Sequence, residues 1–176
     1  MEDAAFRATA LGEAYAGIER LPVAVLLDNV RSLYNVGAFF RTADAVRAES
    51  IIVAGITPTP QDPRIAKTAL GAERSVPWSR AAGVADAVDA LRARGFEIAG
   101  VETSLHAVDL FDWRPRFPVC VIFGHEVDGI TPDVLGRCDV HVRIPALGAK
   151  GSINVATAGG VVLYELLRKY RKLARA

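Results

Sequence analysis

Residues 23–47 read VAVLLDNVRSLYNVGAFFRTADAVR, and the change of pattern within this stretch decides the fold class. Residues 23–27 form a compact apolar run, which is typical of a buried strand. A polar turn follows, and from about residue 36 to 47 apolar side chains recur at helical spacing, with Phe39 and Phe40 on the apolar face. A buried strand that leads directly into an amphipathic helix is the repeating unit of a parallel α/β sheet.

The remainder of the chain continues this alternation of strands and helices. We predict further strands at residues 50–54, 76–78, 96–101, 119–123 and 140–144, and further helices at 4–18, 64–70, 84–94 and 154–173. The sequence therefore predicts an α/β fold, with a mostly parallel sheet that carries helices on both faces. The 176 residues contain no internal repeat or linker, so we expect a single domain over 1–176, of which 1–20 form a short N-terminal extension.

The composition, 51% hydrophobic and 23% charged, is that of an ordinary globular protein. No apolar run is long enough to cross a bilayer, and the N-terminus lacks the basic start and apolar core of a signal peptide. Cys120 and Cys138 lie in strand-like segments, and although a disulfide between them is an alternative, buried reduced thiols are favoured. We therefore expect a cytoplasmic protein without a membrane partner.

The formal net charge of +1 neither requires nor excludes a nucleic-acid partner, because local patches matter more than the total. Basic residues cluster in the middle of the chain and again at residues 168–175. A solvated surface is the simpler interpretation of both clusters, and for the C-terminal one it is the favoured interpretation.

Three polar clusters follow predicted strands, at residues 35–41, 124–129 and 152–154. In open parallel sheets, ligands bind beyond the C-terminal ends of the strands. Each cluster comes after a different strand, at 23–27, 119–123 and 140–144. We therefore expect all three clusters to meet at one edge of the sheet.

Taken singly, each cluster has a structural interpretation. Asn35 is predicted to cap the first helix, and Ser152 to cap the last helix with Asn154 in its first turn. Arg41 lies among apolar residues and is expected to be buried, so it requires a partner, either Glu126 or a ligand phosphate. The stretch 155–167 is apolar almost all round, which predicts a buried helix.

Other nucleotide and metal sites are not supported by the sequence. The first strand is not followed by the glycine pattern of dinucleotide-binding folds, and residues 147–152 have the wrong order for a phosphate-binding P-loop. His125-Glu126 lacks the second histidine of a zinc protease, so we expect no metal site. Gly124 directly follows a strand, which lets a ligand approach the backbone closely.

Together the clusters identify a family resemblance. N-x-G-x-x-x-R at 35–41, F-G-H-E-x-x-G-I at 123–130, and R-I-P followed by S-I-N-V-A within 143–156 closely resemble the SpoU (TrmH-like) branch of the SPOUT methyltransferases. The resemblance extends from about residue 21 to 167, and three motifs in the right order are far more specific than one. Ile153 stands where the family usually has leucine.

The resemblance implies a fold and a cofactor. Its members have an α/β sheet whose C-terminal part is tied into a deep trefoil knot, one of the rare exceptions to unknotted topology. They bind S-adenosylmethionine, bent, through the loops that here contain Thr103, Leu105, Gly124, Ile144, Leu147, Ser152 and Ile153. They act as homodimers, for which the helix 155–167 with its Gly159-Gly160 pair is a candidate surface; a purely intrachain core is the alternative.

The resemblance also implies methyl transfer to a ribose 2′-hydroxyl of RNA, without a metal. The family assigns the central role to the arginine that matches Arg41, yet a guanidinium stays protonated in proteins and is not an ordinary base. Arg41 either stabilises charge on the hydroxyl oxygen, which we favour, or acts beside an RNA phosphate that takes the proton. Asn35, Ser152 and Asn154 would orient the groups, and Glu126 would hold the network.

RNA is expected to be held through its phosphates, by Arg31, Lys67, Arg74 and Lys150. Transfer RNA is favoured over ribosomal RNA as the substrate. The alternatives are a non-catalytic RNA-binding protein on the same knotted fold, a base methyltransferase from another SPOUT branch, and a generic nucleotide-binding α/β domain. The intact motifs at 35–41 and 143–156 argue against a non-catalytic RNA-binding protein. The motif at 35–41 also argues against a base methyltransferase.

Overall fold

Seven parallel strands form one sheet in the computed structural model, which describes residues 19–174. The strands are β1 (Leu21–Asp28), β2 (Ala48–Ala54), β3 (Trp78–Arg80), β4 (Glu97–Val101), β5 (Val108–Asp109), β6 (Val119–Phe123) and β7 (Val140–Arg143). Their order across the sheet is β3-β2-β1-β6-β4-β7-β5. The predicted helix at 4–18 lies outside the described residues.

Six helices within the described residues connect and cover the strands. They are α1 (Leu33–Ala45), α2 (Ala66–Ala69), α3 (Ala72–Ser75), α4 (Val84–Ala93), α5 (Pro132–Leu135) and α6 (Val155–Leu173). None of the helices within 19–174 is both long and apolar enough to cross a membrane.

The central strand β1 faces a different core on each side of the sheet. Val23, Val25 and Leu27 pack into the core that also contains the buried residues of α1 and α6. Ala24 and Leu26 point the other way, into the core that contains the buried residues of α4. Such strands, buried on both faces, read as continuous apolar runs, which is how β1 was recognisable. The predicted α/β fold with helices on both faces is confirmed.

Helix α6 is buried along one stripe, so the prediction that it is buried all round is wrong. Ala158, Val162 and Leu166 are buried, while Tyr164 is exposed. Gly159 packs directly on α1, because a Cβ added there would lie 2.2 Å from Cε1 of Phe39. Gly160, the next residue, faces open space. The close contact between α1 and α6 holds the first and third motifs together.

Short elements account for most differences from the predicted secondary structure. The two residues of β5 pair only with β7, and α5 has four residues, so neither is long enough to show a periodic pattern. The helix predicted at 64–70 is the shorter α2, which ends where Leu70 and Gly71 adopt positive φ values of 52° and 97°, and α3 follows outside the predicted range. The strand predicted at 76–78 lies at Trp78–Arg80.

Both cysteines are free thiols. Cys120 lies on β6, and burial raises the pKa of its thiol far above the ordinary value. Cys138 lies in the turn between α5 and β7 and not in a strand as predicted. Burial, assisted by the charge of Asp139, raises the pKa of Cys138 to about 11. Neither thiol is therefore a nucleophile at neutral pH.

Substitution of the paired glycines tests the contact between α1 and α6. Gly159→Ala is expected to lower the free energy of unfolding by about 1–3 kcal/mol, because its Cβ would overlap the buried ring of Phe39. Gly160→Ala is the matched control and is expected to raise it by up to about 1 kcal/mol, because alanine favours the helix and meets no neighbour. Chemical denaturation at one protein concentration measures both, and equal stability of the two variants would contradict the close contact.

Candidate active site

The loops that follow β4, β6 and β7 meet the start of α6 around a cavity of about 420 Å³. This is the C-terminal edge of the sheet, where the three polar clusters were predicted to meet. The walls come from all three loops and from the first turn of α6: Val101, Glu102, Thr103, Phe123, Gly124, His125, Glu126, Val127, Asp128, Gly129, Ile130, Arg143, Ile144, Ala146, Gly151, Ser152, Ile153, Asn154, Val155 and Ala158.

Ser32, not Asn35, caps α1. The hydroxyl oxygen of Ser32 accepts a hydrogen bond from the backbone N–H of Asn35 at 3.3 Å. The prediction that Asn35 is the cap is therefore wrong, and its side chain is free for another task. It reaches out of the helix and donates from Nδ2 to Oε1 of Glu126 at 2.9 Å.

Glu126 joins the loop after β6 to the start of α1. Its carboxylate accepts from the backbone N–H of Ser32 at 2.9 Å and of Arg31 at 3.1 Å, in addition to the Asn35 side chain. Partial burial by itself would raise the pKa of Glu126, but these hydrogen bonds outweigh it and hold the pKa below the ordinary value. Glu126 is therefore ionised at neutral pH.

Asn154 completes a chain of hydrogen bonds through all three motifs. It is the N-cap of α6, where its Oδ1 accepts from the N–H groups of Ala156 at 2.9 Å and Thr157 at 3.1 Å. Its Nδ2 donates to Oδ1 of Asn35 at 3.2 Å. The prediction that Ser152 caps this helix is wrong, because Ser152 lies before the cap, exposed at the cavity wall.

Close backbone packing shapes the floor of the cavity. A Cβ at Gly124 would lie 2.3 Å from the carbonyl oxygen of Gly129, so only glycine fits there. His125 and Gly129 exchange backbone hydrogen bonds at 3.0 and 2.9 Å, which closes the loop into a tight turn. Gly129 takes a positive φ of 69°, a conformation that suits glycine. The loop after β6 therefore presents its backbone to the cavity.

The predicted cofactor residues divide into two groups. Thr103, Gly124, Ile144, Ser152 and Ile153 line the cavity. Leu105 and Leu147 do not line it, and they are 97% and 100% exposed.

Glu102 is a cavity residue that lies outside the three sequence motifs. Glu102 directly follows β4 and lines the cavity, where it accepts hydrogen bonds from the backbone N–H groups of Thr103 and Ile130. The rule that ligands bind beyond strand ends points to this position as well, since residues 96–101 were predicted to be a strand.

Arg41 is exposed, so the prediction that it is buried is wrong. Helical periodicity explains its position, because Tyr34, Ala38 and Arg41 follow one another at intervals of four and three residues along one face of α1. The predicted pair between Arg41 and Glu126 is not formed. Within residues 19–174, the side chain of Arg41 makes no hydrogen bond or ion pair, and Arg41 lies roughly 9 Å along α1 from Asn35.

The four residues predicted to bind RNA, namely Arg31, Lys67, Arg74 and Lys150, are all exposed. Arg31 lines a groove beside the cavity, together with Ser32, His125, Glu126 and Val127. Lys67 and Arg74 lie on α2 and α3, which pack against α1, and Lys150 lies in the loop before α6. All four are therefore accessible to a partner.

No group of three or more His, Cys, Asp or Glu side chains that could hold a metal ion occurs within the part of the chain that the structure describes.

Comparison with known proteins agrees with the motifs. Residues 22–164 match the family described as the SpoU rRNA Methylase family. A Staphylococcus haemolyticus protein that carries the name TrmH family tRNA/rRNA methyltransferase is 31% identical over 151 residues, which are 86% of this chain and 60% of that protein. The resemblance inferred from the motifs is confirmed, and the chain spans about 60% of the length of the curated relatives it matches.

Two solved structures share the fold. The SpoU methyltransferase AviRb from Streptomyces viridochromogenes, in complex with the cofactor AdoMet, has a TM-score of 0.79 and 28% identity, over 88% of this chain and 63% of that one. A chain solved in work on the 2-OH methylation of C/U34 on tRNA has a TM-score of 0.77 and 25% identity, over 85% of this chain and 97% of that one.

The role of Glu126 can be tested through the pH dependence of stability. Glu126→Gln is expected to lower the Tm by about 2–4 °C at neutral pH, the shift that about 1 kcal/mol gives in a domain of this size, because an amide cannot accept from all three donors. The folded pKa is lowered, so the contribution of the carboxylate is complete above the ordinary value of 4.5 and is lost as the pH falls through the folded pKa. The two proteins should therefore converge in acid.

Asp128→Asn is the matched control, since this carboxylate lies two residues away in the same loop and is 79% exposed. Circular dichroism melting at fixed protein concentration gives both pH profiles. A difference between wild type and Glu126→Gln that persisted unchanged into strong acid would show that the charge of Glu126 does not hold the loop.

Proposed function

The chain belongs to the SpoU rRNA Methylase family, and on this premise we propose that it is an S-adenosylmethionine-dependent RNA methyltransferase that modifies a ribose 2′-hydroxyl. One observation carries the proposal: Glu126 and Asn154 line a single cavity, and Asn35 is hydrogen-bonded to both, so the three motifs are joined beside it. A relative named for tRNA and rRNA methylation and a similar structure linked to 2-OH methylation support it.

The cavity fits the cofactor. Its volume of about 420 Å³ lies in the usual range for small-molecule sites, ~300–1,000 Å³. Gly124 lets the ligand lie against the backbone, and Ile130, Ile144 and Ile153 supply apolar walls for the adenosine. The cofactor supplies, when bound, a methyl group that is already activated by its positively charged sulfur. What this chain's residues must do is orient the hydroxyl and manage its proton.

Arg41 stabilises the hydroxyl oxygen as it attacks the methyl carbon and the carbon–sulfur bond breaks, while the hydroxyl proton passes to solvent water, with an adjacent RNA phosphate as the alternative acceptor. A guanidinium remains charged at neutral pH, so it acts as a hydrogen-bond donor and a positive charge, not as a base. Asn35, held between Glu126 and Asn154, fixes the start of the helix that carries Arg41. Ser152, exposed at the cavity wall, has a hydroxyl available to the ribose.

The active form is a homodimer. The exposed face of α1, with Tyr34 66% exposed and Arg41 nearby, adjoins α6, whose Tyr164 is 54% exposed. Tyrosine is enriched at protein interfaces, so these two exposed side chains on neighbouring helices support the proposal. Because Arg41 does not line the cavity of its own chain, we propose that Arg41 of one copy acts at the cavity of the other. A monomeric mass by sedimentation at the assay concentration would contradict this part of the proposal.

The C-terminal part of the chain is tied into a trefoil knot. The late strand β7 lies between the earlier strands β4 and β5, and the chain then continues into α6, which packs against α1. A late strand inserted between two earlier ones is compatible with a chain that passes through an earlier loop, and this strand order supports the proposed knot.

The substrate is transfer RNA or ribosomal RNA, with transfer RNA favoured, and the enzyme acts in the cytoplasm. Arg31, Lys67, Arg74 and Lys150 contact phosphates, which position the RNA but do not read its sequence. The 2′-hydroxyl target itself distinguishes RNA from DNA.

Arg41→Ala tests the chemistry. This variant is expected to lose transfer about 100-fold or more, because it lacks the donor at the reacting oxygen, and to keep its affinity for S-adenosylmethionine within about twofold. The measurements are transfer of labelled methyl groups to separated cellular RNA pools, mapping of the methylated ribose, and calorimetric cofactor binding. Arg116→Ala, which removes an exposed arginine that pairs with Glu97, is the control and is expected to retain activity.

Near-wild-type transfer by Arg41→Ala would remove Arg41 from the mechanism. Cofactor binding by the wild type without label in any RNA pool would favour the non-catalytic RNA-binding alternative. A methyl group mapped to a base would assign the protein to another type of RNA methyltransferase.

The RNA surface is tested by salt dependence. Removing one cation that binds a phosphate should reduce the slope of log affinity against log salt concentration by about 0.7–0.9. Lys67→Ala and Lys150→Ala are each expected to show this reduction in a filter-binding titration. Arg94→Ala, which removes a cation paired with Glu49, is the matched control. Unchanged slopes in both lysine variants would exclude these residues from phosphate binding.

A further inference from the structure

We infer that Glu102 makes the cavity selective for the cationic methyl donor over the neutral product that remains after transfer. The inference rests on the proposed function and assigns a specificity role to a carboxylate outside the three motifs.

Glu102 lies between the loops that wall the cavity. It follows β4, which pairs with β6 on one side and β7 on the other. Its Oε1 accepts from the N–H of Thr103 at 2.8 Å and from the Thr103 hydroxyl at 3.2 Å. Its Oε2 accepts from the N–H of Ile130 at 2.9 Å. The carboxylate therefore ties the loop after β4 to the loop after β6.

The local backbone holds this carboxylate at a fixed place. A Cβ at Gly129 would lie 2.2 Å from Oε2 of Glu102, so the carboxylate rests directly on the turn that forms the cavity floor. Because its position is set by three hydrogen bonds, little ordering is needed when a ligand arrives. A charge fixed in advance interacts more strongly with a ligand than one that must first be positioned.

The charge of Glu102 has no cationic partner within residues 19–174. A carboxylate has about four acceptor positions, and the three donors that Glu102 uses are neutral groups. Its negative charge is therefore uncompensated, and one acceptor position is unused.

The other two carboxylates of the cavity differ from it. Glu126 is engaged by three donors at the start of α1. Asp128 is largely exposed, where water screens its charge, and it lies 3.0 Å from His125. Glu102 is half-buried and unpaired. Of the three carboxylates, Glu102 is therefore the one whose charge interacts most strongly with a ligand in the cavity.

The methyl donor and the product that remains after transfer differ in the charge on their sulfur atom. S-adenosylmethionine carries a positive sulfonium, a positive ammonium and a negative carboxylate, whereas S-adenosylhomocysteine has a neutral sulfur in place of the sulfonium. A fixed negative charge attracts the first more than the second, and partial burial strengthens this difference relative to water. The consequence is preferential loading of the donor and easier release of the product.

Glu102→Gln in the full chain is the test, with three ligands measured by calorimetry. Affinity for S-adenosylmethionine is expected to fall about tenfold, and affinity for S-adenosylhomocysteine by no more than about two- to threefold. Sinefungin, which has a protonated amine near the sulfonium position, should follow the methyl donor. Glu97→Gln, the same substitution at the other end of β4, is the control and should change none of the three.

An equal loss for all three ligands would overturn the inference, because Glu102 would then act only by holding the loops. Unchanged binding of all three, or the same selective loss in Glu97→Gln, would overturn it as well. A wild-type protein that binds none of these ligands would be a failure of the proposed function, and the inference would fall with it.

Discussion

Parallel pairing of β1 with β6 is the constraint on which the rest of the structure depends. It sets Leu27 opposite Phe123, so the loop that leads into α1 and the loop that begins at Gly124 leave the sheet side by side. The pairing is held on both faces, since neighbouring residues of β1 alternate between two buried cores. A slip of one residue would exchange those faces, so the register is strongly specified. The geometry of the site follows from that register.

Glu126 uses this proximity to satisfy backbone groups that would otherwise lack partners. The first N–H groups of a helix have no acceptor within the helix, and a negative charge near them is favourable. Ser32 serves one of these groups from within the chain segment, and Glu126 serves the N–H of Ser32 itself from another loop. Asn35 then passes the connection on to the cap of α6. Two helix starts and one strand end are thereby joined through side chains.

The long elements and the edge of the sheet at which the site lies could be predicted from the sequence, because buried parallel strands and amphipathic helices leave strong patterns. Helix caps could not. Ser32 and Asn35 are both good capping residues, as are Ser152 and Asn154, and the local sequence does not reveal that Asn35 and Asn154 also make tertiary hydrogen bonds.

The wrong prediction that Arg41 is buried has a similar origin. This arginine follows two buried phenylalanines in sequence, but neighbours in a helix point in different directions, and Arg41 shares its face with Tyr34.

Since Glu126 both lines the cavity and binds the start of α1, the two places are thermodynamically linked. A ligand in the cavity that alters the contacts of Glu126 changes the free energy of the first turn of α1, and therefore the affinity of α1 for a second binding partner. By reciprocity, that partner changes the affinity of the cavity for its ligand by the same factor.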